Sequence, residues 1–506
     1  MREQILAFFQ AQNLLVVPEA LDLILASPAP LEVSRTVVHA HKGILFITPD
    51  LVTPHLSSPA PEGGNGNGEG PSAAAGDLLG PRAGRSGPGD GFQLLRQGYG
   101  EPGVSATPLE AYTELFRDRF RSLSRFLRGR PDLADQVPVK ELPRASGDVS
   151  LVVMLRDVET SAKQHHLILT VEDESGTARV LVPKDSRPSK VPFLPDEALG
   201  LRVHLPREPG GLPLVREVLR PDTPATREPH RSSRPSRVLF LSDTHIGSRM
   251  FLEDAWGELM DFLRGSSVRP DLAREIRHVV IAGDLVDGIG VYPRQENDLA
   301  IPDVVEQYAE LGRRLREMPS GVQVVAVPGN HDAVCPAEPQ PPLSPELLRL
   351  LPPSVRILGN PSTFSLEGVV IEAYHGRSFD DLIPSLPGAR YERPTEVMRR
   401  MLLMRHLSPS YGGKTPLAPL PHDGLVMDPL PDIFVTGHTH TYGVERWRGI
   451  LLLNASTWLA ETEYQRMRNV KPVPARAAVV NLESYAVDAL DFSGGPAEKG
   501  PPEAAG

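Results

Sequence analysis

The sequence predicts a multidomain protein in which a layered α/β domain follows a small β-barrel and a short helical module. Its length of 506 residues exceeds that of one ordinary domain. From Arg237 to about Phe492, short apolar runs alternate with amphipathic helical stretches, which is typical of layered α/β structure. Residues 150–185 instead hold β-rich runs separated by polar turns.

The first 56 residues are predicted to form a small, mainly helical module, because Ile5, Phe8 and Phe9 begin a pattern of apolar residues at helical spacing. Residues 57–107 are predicted to be a disordered linker rich in Gly and Pro. Most of that stretch lacks the large apolar side chains that would offset the entropy lost on ordering. The end of the chain, 493–506, is predicted to be a disordered tail.

Residues 108–136 are predicted to contain an arginine-rich amphipathic helix. Its apolar stripe comprises Tyr112, Phe116, Phe120, Leu123 and Leu127. The arginines around the stripe have two interpretations, contact with phosphates or a solvated face with extended side chains, and the second is the commoner arrangement.

Residues 137–222 are predicted to form the barrel, with the turn signal "DESG" between two strands. The run resembles the oligonucleotide/oligosaccharide-binding fold (OB-fold), a barrel that holds single strands in some proteins and serves as a packing platform in others. Both roles stay open. His165 and His166 are interpreted as turn residues, since no second cluster of ligand types lies nearby in the sequence.

Composition and charge argue against a globally basic nucleic-acid binder, a disulfide-stabilised protein and a membrane-spanning protein. A net charge of −11 disfavours a globally basic nucleic-acid binder but not a local basic channel. The single cysteine, Cys335, has no partner for an internal disulfide. No stretch approaches the roughly 18 uninterrupted apolar residues of a membrane span. We therefore expect a cytoplasmic protein with no membrane partner.

The domain predicted for residues 236–492 carries the chemistry. Five apolar runs end in residues that bind metals, in the stretches "FLSDTH", "IAGDLVD", "VPGNHD", "EAYHG" and "VTGHTH". In layered α/β sheets the ligand crevice lies at the carboxyl ends of the strands, so these loop tips are expected to converge. A single Asp-x-His or His-x-His pair is weak evidence for a metal site, whereas five such groups at successive strand ends are strong evidence.

Carboxylate, amide and imidazole ligands suit Mn²⁺, Fe²⁺ or Zn²⁺, and the absence of clustered cysteines disfavours a thiolate zinc site. Seven candidate ligands are too many for one ion with an open position. Two ions about 3.5–4 Å apart would use them all, which favours metal-assisted phosphoester hydrolysis. The seven are Asp243, His245, Asp284, Asn330, His375, His438 and His440.

These motifs resemble those of the calcineurin-like metallophosphoesterases. The resemblance implies a four-layer α/β/β/α fold, with Asp243, His245 and His440 on one ion and Asn330, His375 and His438 on the other. Asp284 would bridge the two ions. His331 would be a catalytic residue placed over the phosphate rather than a ligand. Asp332 is interpreted as a second catalytic residue, which orients that imidazole or its loop. Asp287 is interpreted as a brace for its loop.

Longer stretches, among them "GDLVDGIGVYPRQ", "RHLSPSYGGKTPLAPLPHD" and "TEYQRMRNVKPVPA", resemble the small subunits of the archaeal family D DNA polymerases. This implies a 3′-to-5′ proofreading exonuclease that uses two divalent ions, Mn²⁺ foremost, with Mg²⁺, Fe²⁺ or Zn²⁺ as alternatives. The implied partners are the large catalytic subunit, in a heterodimer or heterotetramer, and DNA 3′ ends. The sliding clamp is a further candidate partner.

Two other hypotheses stay open. The first is a stand-alone phosphodiesterase or nuclease, and the second is a non-catalytic scaffold for a polymerase, against which the intact ligand set counts. Cys335 stands where a basic residue is common in the resembled family. It is either a lost phosphate contact or a small loop residue.

Overall fold

The computed structural model describes residues 5, 8, 9, 15, 16, 18–40, 46, 47, 49–55, 91–100, 107–206, 211–266, 269–467 and 470–494. The chain forms two compact units, Met1–Pro81 and Arg82–Gly506. Most of the predicted linker, and the predicted tail from residue 495, lie outside the described residues.

The first unit has a small apolar core of its own. Ile5, Phe9, Ile24, Val37 and Val52 are buried together. They belong to a unit whose elements are β1 (Leu15–Val16), α1 (Pro18–Ala26), α2 (Pro30–Ala40), β2 (Phe46–Ile47) and α3 (Pro49–Val52). β1 and β2 pair in parallel.

The second unit contains two six-stranded mixed sheets. The first has the strand order β12-β11-β10-β9-β18-β19 and the second β16-β17-β15-β14-β13-β3. Strands of the first sheet are β9 (Arg237–Leu241), β10 (Ile276–Ala282), β11 (Gln323–Val327), β12 (Val355–Ile357), β18 (Arg476–Asn481) and β19 (Val487–Asp491). Those of the second are β3 (Phe92–Gln97), β13 (Ser362–Leu366), β14 (Val369–Ala373), β15 (Ile433–Thr436), β16 (Tyr442–Trp447) and β17 (Ile450–Ala455).

The helices of the second unit pack mainly on the outer faces of these sheets. They are α4 (Pro108–Arg128), α5 (Glu253–Leu263), α6 (Pro270–Arg274), α7 (Val304–Leu315), α8 (Pro345–Leu348), α9 (Phe379–Ser385), α10 (Pro394–Met404) and α11 (Glu463–Met467). Helices α5 to α8 cover the first sheet, and α9 and α10 cover the second. Among the described helices, none has both the length and the apolarity to cross a bilayer.

Alternate residues along each central strand enter different cores. In β9, Val238 and Phe240 lie between the two sheets, whereas Leu239 and Leu241 face the helices. Phe434 of β15 likewise packs on the helix side of the second sheet. Burial on both faces explains why these strands appear in the sequence as continuous apolar runs. The predicted layered α/β domain is therefore confirmed, as mixed sheets enclosed by helices.

A closed five-stranded barrel precedes this domain, in the order β4-β5-β6-β8-β7. Its strands are β4 (Asp148–Thr160), β5 (Leu167–Asp173), β6 (Gly176–Val182), β7 (Ala198–His204) and β8 (Leu214–Leu219). Leu151, Val171, Val180 and Leu201 are among the side chains that fill it. Its assignment to the OB-fold, and a role in holding single strands, stay predictions.

The prediction of a disordered linker over residues 57–107 is wrong for Phe92–Gln97, which form the strand β3. Phe92–Gln97 pairs antiparallel with β13, and Phe92 is buried between the sheets. Arg96 also donates hydrogen bonds to the carbonyl oxygens of Gly424, Val426 and Asp428. The strand is short and lies beside glycine-rich sequence, so its partner, more than 260 residues later, gives no local signal.

One arginine of α4 departs from both sequence interpretations, whereas the others lie on an exposed face, as the second interpretation expects. Arg119 is fully buried, and its Nε donates to Asp423 Oδ2 at 2.5 Å. His406 Nε2 lies 2.9 Å from the same oxygen. On the exposed side, Arg121 and Arg125 pair with Glu174 and Asp428. These partners lie outside the helix, so Arg119, Arg121 and Arg125 attach α4 to the rest of the second unit.

We predict that Asp423→Ala destabilises the protein by about 3–5 kcal/mol at pH 7, because a buried guanidinium loses its counter-ion. Burial raises the pKa of Asp423, but Arg119 and His406 outweigh it and hold that pKa well below its usual range. The stabilisation is thus present above the unfolded-state pKa of about 3.9 and is lost as the pH falls toward the folded-state pKa. Urea denaturation of the wild type and of Asp423→Ala, at pH 7 and at pH 3, measures the difference in their free energies of unfolding.

The control is Glu174→Gln, which breaks the exposed pair with Arg121. It should change the free energy of unfolding by no more than about 1 kcal/mol. A stability gap for Asp423→Ala that is equal at the two pH values would contradict the assigned role of this carboxylate.

Candidate metal centre

The structure brings the seven predicted ligands together where strands of the two sheets end. Each follows a strand by only a few residues, so the sheet positions it. Asp243 and His245 follow β9, Asp284 follows β10, Asn330 follows β11, His375 follows β14, and His438 and His440 follow β15. Potential ligand atoms of Asp243, His245 and His440 lie within 4.8 Å of one another, as do those of Asp284, His375 and His438.

The first of these groups presents two imidazoles to a carboxylate. His440 Nε2 lies 3.3 Å from Asp243 Oδ1, and the Nε2 atoms of His245 and His440 are 3.1 Å apart. His245 Nδ1 lies 3.1 Å from Asp287 Oδ1. Since the carboxylate is an acceptor, Nδ1 carries the hydrogen and the Nε2 lone pair of His245 is left for a metal.

The second group is arranged around His375. Its Nδ1 donates to the carbonyl oxygen of Ala282 at 2.9 Å, which makes Nε2 the candidate ligand atom. That Nε2 lies 3.3 Å from Asp284 Oδ2 and 3.1 Å from Asn330 Oδ1. His438 completes the group with Asp284 and His375.

Asp284 lies between the two groups. Its Oδ2 is 3.7 Å from His245 Nε2 and 3.3 Å from His375 Nε2. Its Oδ1 accepts the backbone N–H of His331 at 2.8 Å. A carboxylate in this position is suited to contact two ions at once.

His331 lies beside the ligands but is oriented differently. Its Nδ1 donates to the carbonyl oxygen of Asp287 at 2.8 Å, so Nε2 is free. Its side chain is 16% exposed, against 1% for His245 and 0% for His375. The ring stands edge-on to that of His245, with centroids 4.7 Å apart. His331 is therefore the accessible imidazole of the three.

The orienting partner of His331 is Asp287 rather than Asp332. Asp332 accepts the N–H groups of Leu285 and Gly329 through Oδ2 and the hydroxyl of Tyr308 through Oδ1. It is buried and braces the loops after β10 and β11, so the alternative role predicted for it, orienting the imidazole, is wrong. Asp287 does more than the predicted bracing, since it also holds His245.

Two further residues that contact ligands were not predicted from the sequence. Gln465 Nε2 lies 2.6 Å from His440 Nδ1, and Asp380 Oδ2 lies 3.5 Å from His438 Nε2. Both come from helices outside the ligand motifs. Gln465 lies in the stretch "TEYQRMRNVKPVPA", whose family resemblance does not itself indicate the contact with His440. Partners of this kind orient metal-binding histidines in proteins generally.

The backbone at the site is unusual. Five of the predicted ligands have positive φ, a conformation uncommon for residues other than glycine. The values are Asp243 52°, His245 45°, Asp284 49°, His438 66° and His440 56°. Such outliers cluster at functional sites, where the surrounding structure holds them in place.

Glycines allow the ligands to approach the neighbouring backbone. A Cβ on Gly329 would lie 2.2 Å from Asp284 Oδ1, and one on Gly437 would lie 2.3 Å from Asp243 Oδ2. A Cβ on Gly283 would lie 2.4 Å from His375 Nδ1. The glycines in the "AGD", "PGN" and "TGH" stretches are therefore required by close contact.

The electrostatics keep the carboxylates ionised. Burial raises the pKa of Asp284, but His375 and His331 outweigh it, and the pKa lies well below the usual range. Burial likewise raises the pKa of Asp243, and His440 brings it below the usual value. Burial lowers the pKa of His375, yet Asp284 raises it to about 10, so a divalent ion at Nε2 would displace a proton from that atom. This buried set of carboxylate, amide and imidazole donors without thiolate fits borderline or hard divalent ions.

Comparison with known proteins identifies relatives of the chain. It is 39% identical over 374 residues to the DNA polymerase II small subunit of Archaeoglobus fulgidus, covering 73% of this chain and 75% of the relative. The protein of the same name from Thermoplasma acidophilum is 35% identical over 385 residues, covering 76% and 78%. That from Pyrococcus abyssi is 36% identical over 395 residues, covering 76% and 64%.

Among solved structures, an archaeal phosphodiesterase matches at 12% identity and a TM-score of 0.25, covering 50% of this chain and 98% of that structure. Vps29 of Entamoeba histolytica with Zn²⁺ matches at 17% identity and a TM-score of 0.25, covering 51% and 99%. Similarity this low carries no argument about function. The family model for the B-type subunits of DNA polymerases alpha and epsilon matches residues 238–445. On the extent and identity of its relatives, the chain belongs to the DNA polymerase II small subunit family.

Proposed function

We propose that this chain is the proofreading subunit of a DNA polymerase, a 3′-to-5′ exonuclease that hydrolyses phosphodiesters with two divalent ions. The observation that carries the proposal is the position of Asp284, which lies between a group containing His245 and a group containing His375. Family membership supports the role in replication, since the relatives are named as DNA polymerase small subunits. A calcineurin-like phosphoesterase fold fits the two enclosed sheets.

In this proposal Asp243, His245 and His440 hold the first ion. Asn330, His375 and His438 would hold the second, and Asp284 would be shared between them. When bound, a pair of ions with Mn²⁺ foremost supplies the charge that stabilises the attacking and leaving oxygens of a phosphoryl group.

His331 supplies the proton chemistry. With Nδ1 donating to the Asp287 carbonyl oxygen, its Nε2 is the atom that reaches the substrate. A protonated Nε2 stabilises the developing charge on phosphate oxygens or gives a proton to the leaving 3′ oxygen. Asp332 keeps the loop of His331 against Leu285.

The proposed partners are a large polymerising subunit, in a heterodimer or heterotetramer, and DNA 3′ ends, with the sliding clamp as a further candidate. A mismatched 3′ end is already partly unpaired, so its transfer to the exonuclease site costs less than melting matched pairs. That difference gives proofreading its selectivity. The barrel is proposed to help bind the large subunit, and a cytoplasmic location stays a prediction.

We predict that His331→Ala lowers Mn²⁺-dependent 3′-to-5′ degradation of single-stranded DNA by about 10²-fold or more, because general acid–base groups contribute at that scale. Bound metal, measured by elemental analysis after gel filtration, should be unchanged. Equal, negligible activity of wild type and variant supports a scaffold instead. Release of an ion by His331→Ala would contradict the role given to this imidazole.

Asp284→Ala should abolish degradation and lower bound metal, since the shared carboxylate is lost from both groups. Isothermal titration calorimetry with Mn²⁺ measures the loss of metal affinity independently of activity. Asp271→Ala is the matched control, because its side chain is 91% exposed and lies on α6. Unchanged metal affinity in Asp284→Ala would exclude a shared site.

Asp287→Asn should weaken Mn²⁺ binding by about 10- to 100-fold, because removing the partner of a metal-bound histidine has an effect of this size. The same titration measures it, with Asp271→Asn as control. A variant that binds Mn²⁺ as tightly as wild type would show that Asp287 does not orient His245.

Strong turnover of a cyclic nucleotide, unaffected by a polymerase subunit, would favour the stand-alone phosphodiesterase. Co-purification with the large subunit from the native source, together with degradation of DNA 3′ ends, supports the proofreading role.

A further inference from the structure

The loop between β10 and α7 exposes apolar side chains beside the candidate metal centre. Ile289 is 51% exposed and Val291 is 38% exposed. Singly exposed apolar side chains are ordinary, but a group of them beside a reactive site is a candidate ligand-binding surface. The segment Gly288–Arg294 is called the apolar loop below.

The apolar loop is fixed to the residues that orient His331. The carbonyl oxygen of Asp287, which accepts from His331 Nδ1, also accepts from Gln295 Nε2 at 2.7 Å. Gln295 Oε1 in turn accepts the N–H of Val291 at 2.9 Å. At the other end, the N–H of Gly288 donates to Gln307 Oε1 at 2.8 Å. The loop is thus held at the site by side-chain contacts at both ends.

Tyr292 brings an aromatic ring to the same place. Its ring centroid lies 6.3 Å from that of His331. Its hydroxyl donates to Asp298 Oδ2 at 3.0 Å. An aromatic ring therefore lies near the His331 imidazole, and the exposed side chains of Ile289 and Val291 belong to the same short loop.

We propose that Ile289, Val291 and Tyr292 form a binding site for the terminal nucleobase of the DNA strand. This rests on the proposed function. The phosphate reacts beside His331, so the nucleoside attached to it must lie on the adjoining surface, and the apolar loop is part of that surface. Contact with a ring face is sequence-tolerant, because every base has one, and it suits an exonuclease that removes any nucleotide.

The test compares two single-stranded oligonucleotides that differ only at the 3′ terminus, one with a thymidine and one with an abasic residue. The full chain carries His331→Ala so that neither is degraded, and Mn²⁺ is present. Fluorescence anisotropy measures both affinities. We expect the thymidine-ended strand to bind about 10-fold more tightly, the scale of one base–aromatic contact.

Adding Tyr292→Ala or Val291→Ser should reduce this preference to less than about 2-fold, whereas Tyr292→Phe, which keeps the ring, should preserve it. The matched control is Leu348→Ser, since Leu348 on α8 is 37% exposed. It should also preserve the preference. Circular dichroism melts of each variant establish that folding is unchanged.

Equal binding of the two oligonucleotides by the His331→Ala chain would overturn the proposal. So would an equal loss of affinity for both oligonucleotides in Tyr292→Ala, which is the result expected if the loop binds a partner protein or only supports the fold. A base preference without any DNA degradation by the wild type would leave this proposal standing and refute the exonuclease, so the two failures are distinguishable.

Discussion

The carboxylate of Asp284 is the contact on which the candidate metal centre depends. One oxygen faces imidazoles from both sheets, and the other accepts the N–H of His331. A buried carboxylate is unfavourable unless it is paired or coordinates a metal. The loops after β9, β11 and β14 therefore each supply a group to it. The two sheets must keep their relative position for these groups to meet, which ties the site to the core between them.

That core also holds a backbone that would be unstable alone. Left-handed conformations at residues other than glycine cost on the order of 1–3 kcal/mol each. They occur here at five of the seven candidate ligands. Buried strands such as β10 and β15 lead directly into the loops concerned, and Gly329 and Gly437 let side chains approach where a Cβ would collide. The packing of the sheets thus stabilises geometry that local preferences oppose.

The layered domain and all seven candidate ligands were predictable, because each ligand follows an apolar strand in the sequence and parallel strands end at a common edge. Contacts made between distant segments were not. Asp380 and Gln465 contact His438 and His440 from helices outside the ligand motifs. Arg119 has the sequence context of a charged helix face, yet its partner Asp423 lies about 300 residues later. Hydrophobic periodicity carries no information about such pairs.

The strand β3 makes the order of domains along the chain differ from their order in space. It precedes the barrel in sequence but completes the second sheet at β13, so the barrel is an insertion within the α/β domain. A fragment starting at Arg237 would leave β13 with an unpaired edge and Phe364 without the ring of Phe92. During synthesis, β3 cannot pair until β13 has been made, and the barrel, which lies between them in sequence, can fold before that. A piece of chain that contains the complete α/β domain must therefore extend at least from Phe92 to Phe492.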